Sequence, residues 1–447
     1  MRLQLLKYAG RLRASFWFLP SLMATGAIAA AFGMVALDQG VTDKWVRALG
    51  WAYSGGAQGA SAVLQTIAGS MITIAGVVFS LTLVALSLAS SQFGSRLLRS
   101  FMRDTMTQVV LGTFVATFLY CLLVLRTIRR AEESLFVPHL SVTLGVVFAI
   151  ASLWVLIYFI HHVAVSIQAD EIVARVGENL AAGIDRLFPE QTTRGSALST
   201  DDAAGAGMPS SFETEAETVE SKGDGYLQII DMDALVLLAR QESAVFRIER
   251  RPGQYVIRDH PLVSVWPAGH VTEALDARIN AAFVLGNQRT SAQDIEFDVQ
   301  ELVEIAVRAL SPGINDPFTA IVCVDRLGSA LSRLVRRDTP SPYRLDGEGQ
   351  LRVIAPPADF AGIVDSAFNQ IRQYARTSVG VTLRLLEAIA AVADAAGSDE
   401  RRVALQRHAD MVVRGAREAL PESQDRLAVE ERYGEATKRM RRHTTRA

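Results

Sequence analysis

Hydrophobic positions follow two regimes along this chain: long apolar runs up to about residue 165, then short periodic apolar patterns among charged residues. The stretch from Ala48 to Ser95 holds 48 residues without a charged side chain. On a helix turning 100° per residue, its Thr66, Ser70, Thr73, Ser80, Ser87 and Ser91 fall within an arc of roughly 100°. Val77 and Val84 fill the same stripe, while Thr82 and Ser90 lie off it. One hydroxyl in lipid can bond back to its own helix and says little; six on an arc ask for a partner surface, either neighbouring helices or a water-filled path.

Four apolar segments approach or exceed the ~20 residues needed to cross a bilayer core: Phe16 to Leu37, Ser61 to Ser91, Thr107 to Leu125 and Pro138 to Val163. The second is on the order of 45 Å long as a helix, so it must tilt, bend or protrude, and protrusion at its C-terminal end is expected. The first, preceded by Arg2, Lys7, Arg11 and Arg13, is longer than a signal-peptide core and reads as a signal anchor. Those four basic residues, with Arg96, Arg99 and Arg103, outnumber the five on the opposite loops, Lys44, Arg47, Arg126, Arg129 and Arg130. The bias puts both termini, and with them the large C-terminal part, in the cytoplasm. Trp17, Trp45, Trp51 and Trp154 are read as lying at or near span ends.

Past His161 and His162, adjacent residues that point about 100° apart and read as interfacial, Ile167, Ile172, Val176, Leu180 and Ile184 recur at helical spacing. The fourth span is therefore expected to continue as a helix. Pro189 to Asp224 is rich in Ser, Thr, Gly, Ala and acid and reads as a flexible linker. A helix over Asp231 to Gln241 and strands over Ala244–Glu249, Tyr255–Arg258 and Leu262–Trp266 follow, the strands separated by Arg251-Pro252-Gly253 and His260-Pro261. Helices are then expected over Val271–Leu285, Asp298–Ala309, Phe318–Val335, Phe360–Arg376, Val379–Ala396 and Glu400–Ala419, with a strand at Leu351–Ile354 and a basic tail that frays or meets anionic lipid. The fold class is an α-helical integral membrane protein: four transmembrane helices, then a mainly helical α+β cytoplasmic domain with a small β module. Its expected regions are 1–188 (membrane helices and extension), 189–224 (linker), 225–269 (β module), 270–420 (helical domain) and 421–447 (tail).

Net charge is only −2, which gives no argument for nucleic acid as a partner. Cys121 and Cys323 lack a CxxC neighbour or a histidine at ligand spacing and read as buried thiols, and no metal or cofactor is expected. The chain contains no GxSxG, HExxH, Walker A or GxGxxG fingerprint, and no Asp, Glu or Lys inside the expected spans, so an enzyme or proton-coupled transporter is not expected.

One local motif stands out, Ser311-Pro312-Gly313-Ile314-Asn315-Asp316-Pro317. The proline ends a helix near Ser311, Gly313 permits reversal, and Asn315 or Asp316 can cap the next helix with Pro317 in its first turn. Two readings stand: a structural corner, or a ligand pocket in which Arg289 and Asp294 of the upstream Gly286–Asp294 segment meet Asn315 and Asp316. These two segments, with Thr66–Thr73 and Ser90–Gly94, resemble the bacterial predicted-membrane-protein family catalogued as domain of unknown function 2254, from the first span to about Ala396. That resemblance implies four spans and a cytoplasmic C-terminal domain, and carries no assigned activity.

The leading functional expectation is a homo-oligomeric channel-like protein in the lipid bilayer. Thr66, Ser70, Thr73, Val77, Ser80, Val84, Ser87 and Ser91 would line a path for small ions, with Gly69 and Gly76 letting neighbouring helices approach. The alternative is a membrane-anchored ligand-sensing or scaffold protein whose cytoplasmic domain binds a partner.

Overall fold

The computed structural model describes residues 17–40, 53, 55–94, 104–129, 136–190 and 208–444. The chain divides into two compact units, Met1–Glu171 and Ile172–Ala447. Most charges that set the expected orientation (Arg2 to Arg13, Lys44, Arg47, Arg96 to Arg103), and Trp45 and Trp51, lie outside the described residues.

The first unit holds α1 (Phe18–Gly40), α2 (Ala57–Phe93), α3 (Thr105–Thr127) and α4 (His139–Ser166), each long and apolar enough to cross a membrane. α3 packs against each of the other three, and Phe114, Tyr120, Cys121 and Val124 are its fully buried positions. Two glycines make close approach possible. A Cβ at Gly112 would lie 2.5 Å from Met23 Sδ and 3.2 Å from Pro20 Cα, and one at Gly145 would lie 3.1 Å from Leu64 Cδ2. Across the α3–α4 seam Thr117 Oγ1 and Ser152 Oγ are hydrogen-bonded at 3.2 Å. Trp154 is not at a span end; it lies near the middle of α4 and faces outward.

α2 differs from its neighbours in length. Its 37 residues extend about 55 Å, well beyond a bilayer core of about 30 Å. Its inward positions, including Ala60, Leu64, Ala68, Met71, Ala75 and Val78, are buried. From Phe79 to Leu88 no residue is buried.

α4 does not run on as expected. It stops at Ser166, and after Ile167 and Gln168 a separate helix begins, α5 (Ala169–Leu187). From Ile172 onward α5 belongs to the second unit, so the first unit ends at Glu171 rather than at residue 188. The cause is the switch from an all-round apolar helix to an amphipathic one, whose Ile172, Val173, Val176, Leu180 and Ile184 are buried.

The second unit combines two small sheets with a helical array. Its elements are α6 (Phe212–Glu215), β1 (Glu217–Glu220), β2 (Gly225–Ile230), α7 (Met232–Gln241), β3 (Val245–Ile248), β4 (Tyr255–Val256), β5 (Pro261–Trp266), α8 (Glu273–Ala281) and β6 (Phe283–Gly286). There follow α9 (Ile295–Ala309), α10 (Pro317–Leu334), β7 (Tyr343–Leu345), β8 (Leu351–Ile354), α11 (Phe360–Ala375), α12 (Val379–Asp394), α13 (Asp399–Ala419) and α14 (Ser423–Thr444). The five-stranded sheet has the order β1-β5-β3-β8-β7, with β3 and β8 parallel and the other neighbours antiparallel; the three-stranded antiparallel sheet has the order β4-β2-β6. Phe246, Leu227, Leu262, Val263, Val265, Leu235 and Ile279 form their shared core.

Three sequence expectations need correction here. The β module is not confined to 225–269, because β6, β7 and β8 join from far along the chain; the helix expected over Val271–Leu285 ends at Ala281, and Phe283 starts β6. The linker expected over 189–224 is structured in its last part: Phe212 is buried with Val245, Leu351 and Ile354, and β1 pairs with β5. A polar stretch suffices there because an edge strand needs only one covered face, and Val219 supplies it. The tail expected over 421–447 forms α14, which packs on α12 and α13 through Val429, Ala436 and Met440. Arg432 pairs with Glu387, and Arg417 with Glu430 at 3.0 Å.

Candidate functional site

The hydroxyl stripe of α2 lies wholly on the outside of the protomer. Thr66, Ser70, Thr73, Val77, Ser80, Val84, Ser87 and Ser91 are all exposed, opposite the face that packs on α3 and α4. Its polar demand is already met in part. Thr66, Ser70, Thr73 and Ser80 donate to the carbonyls of Ala62, Thr66, Gly69 and Gly76 at 2.7–2.9 Å, and Ser91 to that of Leu88 at 2.9 Å. These hydroxyls therefore need no partner to be satisfied, a correction to the demand read from their arc. What the geometry leaves open is the face itself: among the described residues, nothing beyond α2's own nearby backbone comes within 4 Å of a Cβ placed at Gly69 or Gly76.

Polar side chains instead tie the ends of α1, α3 and α4. At one end Asp38, in the last turn of α1, accepts from Leu140 N and Ser141 N at 2.9 Å and from Ser141 Oγ at 2.5 Å. It caps the N-terminus of α4 with a carboxylate, where the helix dipole favours negative charge. The expectation of no Asp, Glu or Lys within the spans misses it because α1 runs beyond Leu37 to Gly40. At the other end Asp104 caps α3 and is bonded to His162 Nε2 at 2.7 Å and Thr107 Oγ1 at 2.8 Å. His162 thus has a specific partner and is not merely interfacial; Tyr158 stacks on its ring at 6.0 Å.

In the second unit the four expected ligand residues do not form one pocket. Arg289 and Asp294 meet, with Nη2 2.8 Å and Nε 2.9 Å from Oδ2, and Arg289 also donates to Gln300 at 2.7 Å. They sit at the start of α9. Asn315 and Asp316 follow its far end, about 22 Å away along 15 residues of helix. There Asp316 N donates to Ala309 O at 2.7 Å, and its carboxylate accepts from Thr319 N at 3.1 Å and Thr319 Oγ1 at 2.5 Å. Asn315 takes φ +50°, which asparagine tolerates. The corner is built as a turn between α9 and α10, and its Ile314 and Phe318 are exposed.

Two features of this unit escaped the sequence reading. A groove of about 760 Å³ lies beside Gly177 and Glu178 of α5 and Arg326, Arg333, Arg336 and Arg337. Asp185 accepts from both Arg333 Nε and Arg337 Nη2 at 2.6 Å, so much of its charge is spent holding helices together. The second is Asp298, one turn beyond Asp294 on the buried side of α9, whose Oδ2 has no hydrogen-bond partner among the described residues. Burial first, then the Asp294 carboxylate, push its carboxyl up to about 7, with Arg186 opposing. Asp294 is also raised by burial, against the pull of Arg289. Among the described residues no cluster of three or more His, Cys, Asp or Glu side chains is placed to hold a metal.

Residues 13–391 match the family model described as predicted membrane protein, domain of unknown function 2254. Uncharacterized proteins of Mycobacterium bovis and Mycobacterium tuberculosis are each 34% identical over 429 residues, covering 94% of this chain and 79% of the relative. No solved structure matches. With the match spanning nearly the whole chain, and with four helices able to cross a membrane, this protein belongs to the predicted membrane protein family of domain of unknown function 2254.

Proposed function

We propose that the protein is a homo-oligomeric channel of the bacterial inner membrane, both termini cytoplasmic, in which copies of α2 surround a path for small ions. The observation that carries this reading is the uncovered stripe: α3 and α4 take one side of α2, and among the described residues the hydroxyl side is left exposed along its length. Gly59, Ala62, Thr66, Gly69, Thr73 and Gly76 are also all exposed and recur at alternating steps of three and four. That 3.5-residue period suits close, left-handed packing of like helices. Gly69 and Gly76 lie about 60° to one side of the stripe's centre, so a neighbouring copy can press on the glycines while the hydroxyls turn toward an axis. Val77 and Val84 would then form rings that close the path by dewetting.

The length of α2 supports the same arrangement. Phe79, Leu81, Leu83, Val84 and Leu88 are exposed among the described residues, in the C-terminal half of a helix longer than a bilayer core. Second copies would cover them. The test is ion flux into liposomes bearing the purified protein, with Val77→Ser and Val84→Ser. Each substitution is expected to raise flux at least several-fold by wetting the constriction. No flux difference among the three proteins would overturn the pore.

A further inference from the structure

Asp298 is 3% exposed, set among the apolar positions Ile295, Val299 and Leu302 of α9. It faces α5 where that helix is glycine: a Cβ at Gly183 would lie 3.5 Å from its Oδ2. Such a group is expensive to keep charged, because its Oδ2 is buried and, among the described residues, has no donor to replace the water it has lost. The neighbouring charges do not cancel it. Asp294 is a like charge on the same helix and is engaged by Arg289. On α5, Arg186 attracts it but donates Nη2 to Ser291 O at 2.8 Å, and Asp185 is held by Arg333 and Arg337. Glu296 lies 3.5 Å from Ser366 Oγ and 4.0 Å from Arg251, and Glu301 has its own partner. From the helices packed on α9, Asp316 is spent on Thr319 and Asp325 on Arg384 of α12, while Asp365 of α11 is bonded to His408 at 2.7 Å and to Arg407.

We propose that Asp298 is a proton-binding site whose occupancy sets how firmly α5 is held against α9. With the proton in place the seam is neutral and closed; without it a bare carboxylate faces Gly183 and the seam admits water. The direction follows from linkage. The closed state holds the proton up to about pH 7, whereas an opened, hydrated Asp298 returns toward the ordinary 3.8. Closure is therefore fully supported below about pH 4, weakens by up to about tenfold per pH unit as pH rises to 7, and levels off above. The device stands on the second unit alone and does not require the channel reading.

Hydrogen exchange of the full-length protein in detergent tests it, with rates corrected for their intrinsic pH dependence. Between pH 5 and pH 7, amides of residues 172–187 are expected to exchange at least tenfold faster in the native protein. In Asp298→Asn they are expected to stay slow at both. A native profile that is flat, or one that Asp298→Asn leaves unchanged, overturns the proposal. Should Asp298→Asn not fold, Gly183→Ala keeps the carboxyl and removes more of its water, so it should move the transition to higher pH. An unmoved transition would then overturn the coupling.

Discussion

In the second unit, α12 buries Val381, Leu385, Leu386, Ile389 and Val392 between α10, α13 and α14. In the first, α2 presents ten consecutive residues, Phe79–Leu88, with none buried. Both helices are rich in aliphatic side chains, so hydrophobicity alone does not separate them. The difference is whether the chain itself supplies the cover. A bilayer would account for exposed apolar residues such as Ile150, Leu153 and Trp154 of α4; it would not account for why the face with hydroxyls and glycines is left out as well. Burial within one protomer thus measures completeness in the second unit, and in the first it marks what solvent, lipid or another copy must cover.

The strongest way to break this comparison is to remove cover from the second unit. Phe212 is buried, and the Arg247 guanidinium lies 5.0 Å above its ring. Phe212→Ala is expected to destabilise that unit by about 3–5 kcal/mol, and to make residues 208–220 sensitive to limited proteolysis. An unchanged proteolytic pattern would mean that β1 holds to β5 without its anchor.

Next in size is Asp38→Ala, which probes how the first unit is fastened. Packing among apolar helices gives little preference for one partner over lipid, so the hydrogen bonds from α4 to Asp38 should carry specificity. Their loss is expected to cost about 2 kcal/mol, the upper range for a helix cap, read as a lower thermal midpoint in detergent. Asp38→Asn, which keeps an acceptor oxygen, should recover part of it.

The four long apolar helices were legible because a run of about 20 apolar residues needs no tertiary information to be recognised. The Ser311–Pro317 corner was legible too, since Pro317 and the Asp316 cap act locally. The sheet was not: β3 and β8 pair in parallel across about a hundred residues through strands of four, and nothing local in Leu351–Ile354 names Phe246 as a partner. Arg289 and Asp294 meet because five residues separate them, whereas Asn315 and Asp316 were assigned to the same pocket across a whole helix. Asp298 was hidden differently. In sequence it looks like an acidic residue opening a helix, and only the start of α9 at Ile295 turns it inward.

The smallest expected effect sharpens the comparison most. Thr66, Ser70, Thr73 and Ser80 each donate to a carbonyl of their own helix and touch no other helix through that bond. Replacing Ser70 or Ser80 with Ala therefore removes a bond that the backbone carbonyl largely replaces with its existing helical donor. The stability of the protomer, read from thermal unfolding in detergent, should change by no more than about 0.5 kcal/mol. A larger loss would mean that the stripe is packed dry against another copy, where a hydroxyl fills space. A small loss in stability with a reduced ion flux would assign the hydroxyls to the path, since they would then matter only where water meets the helix.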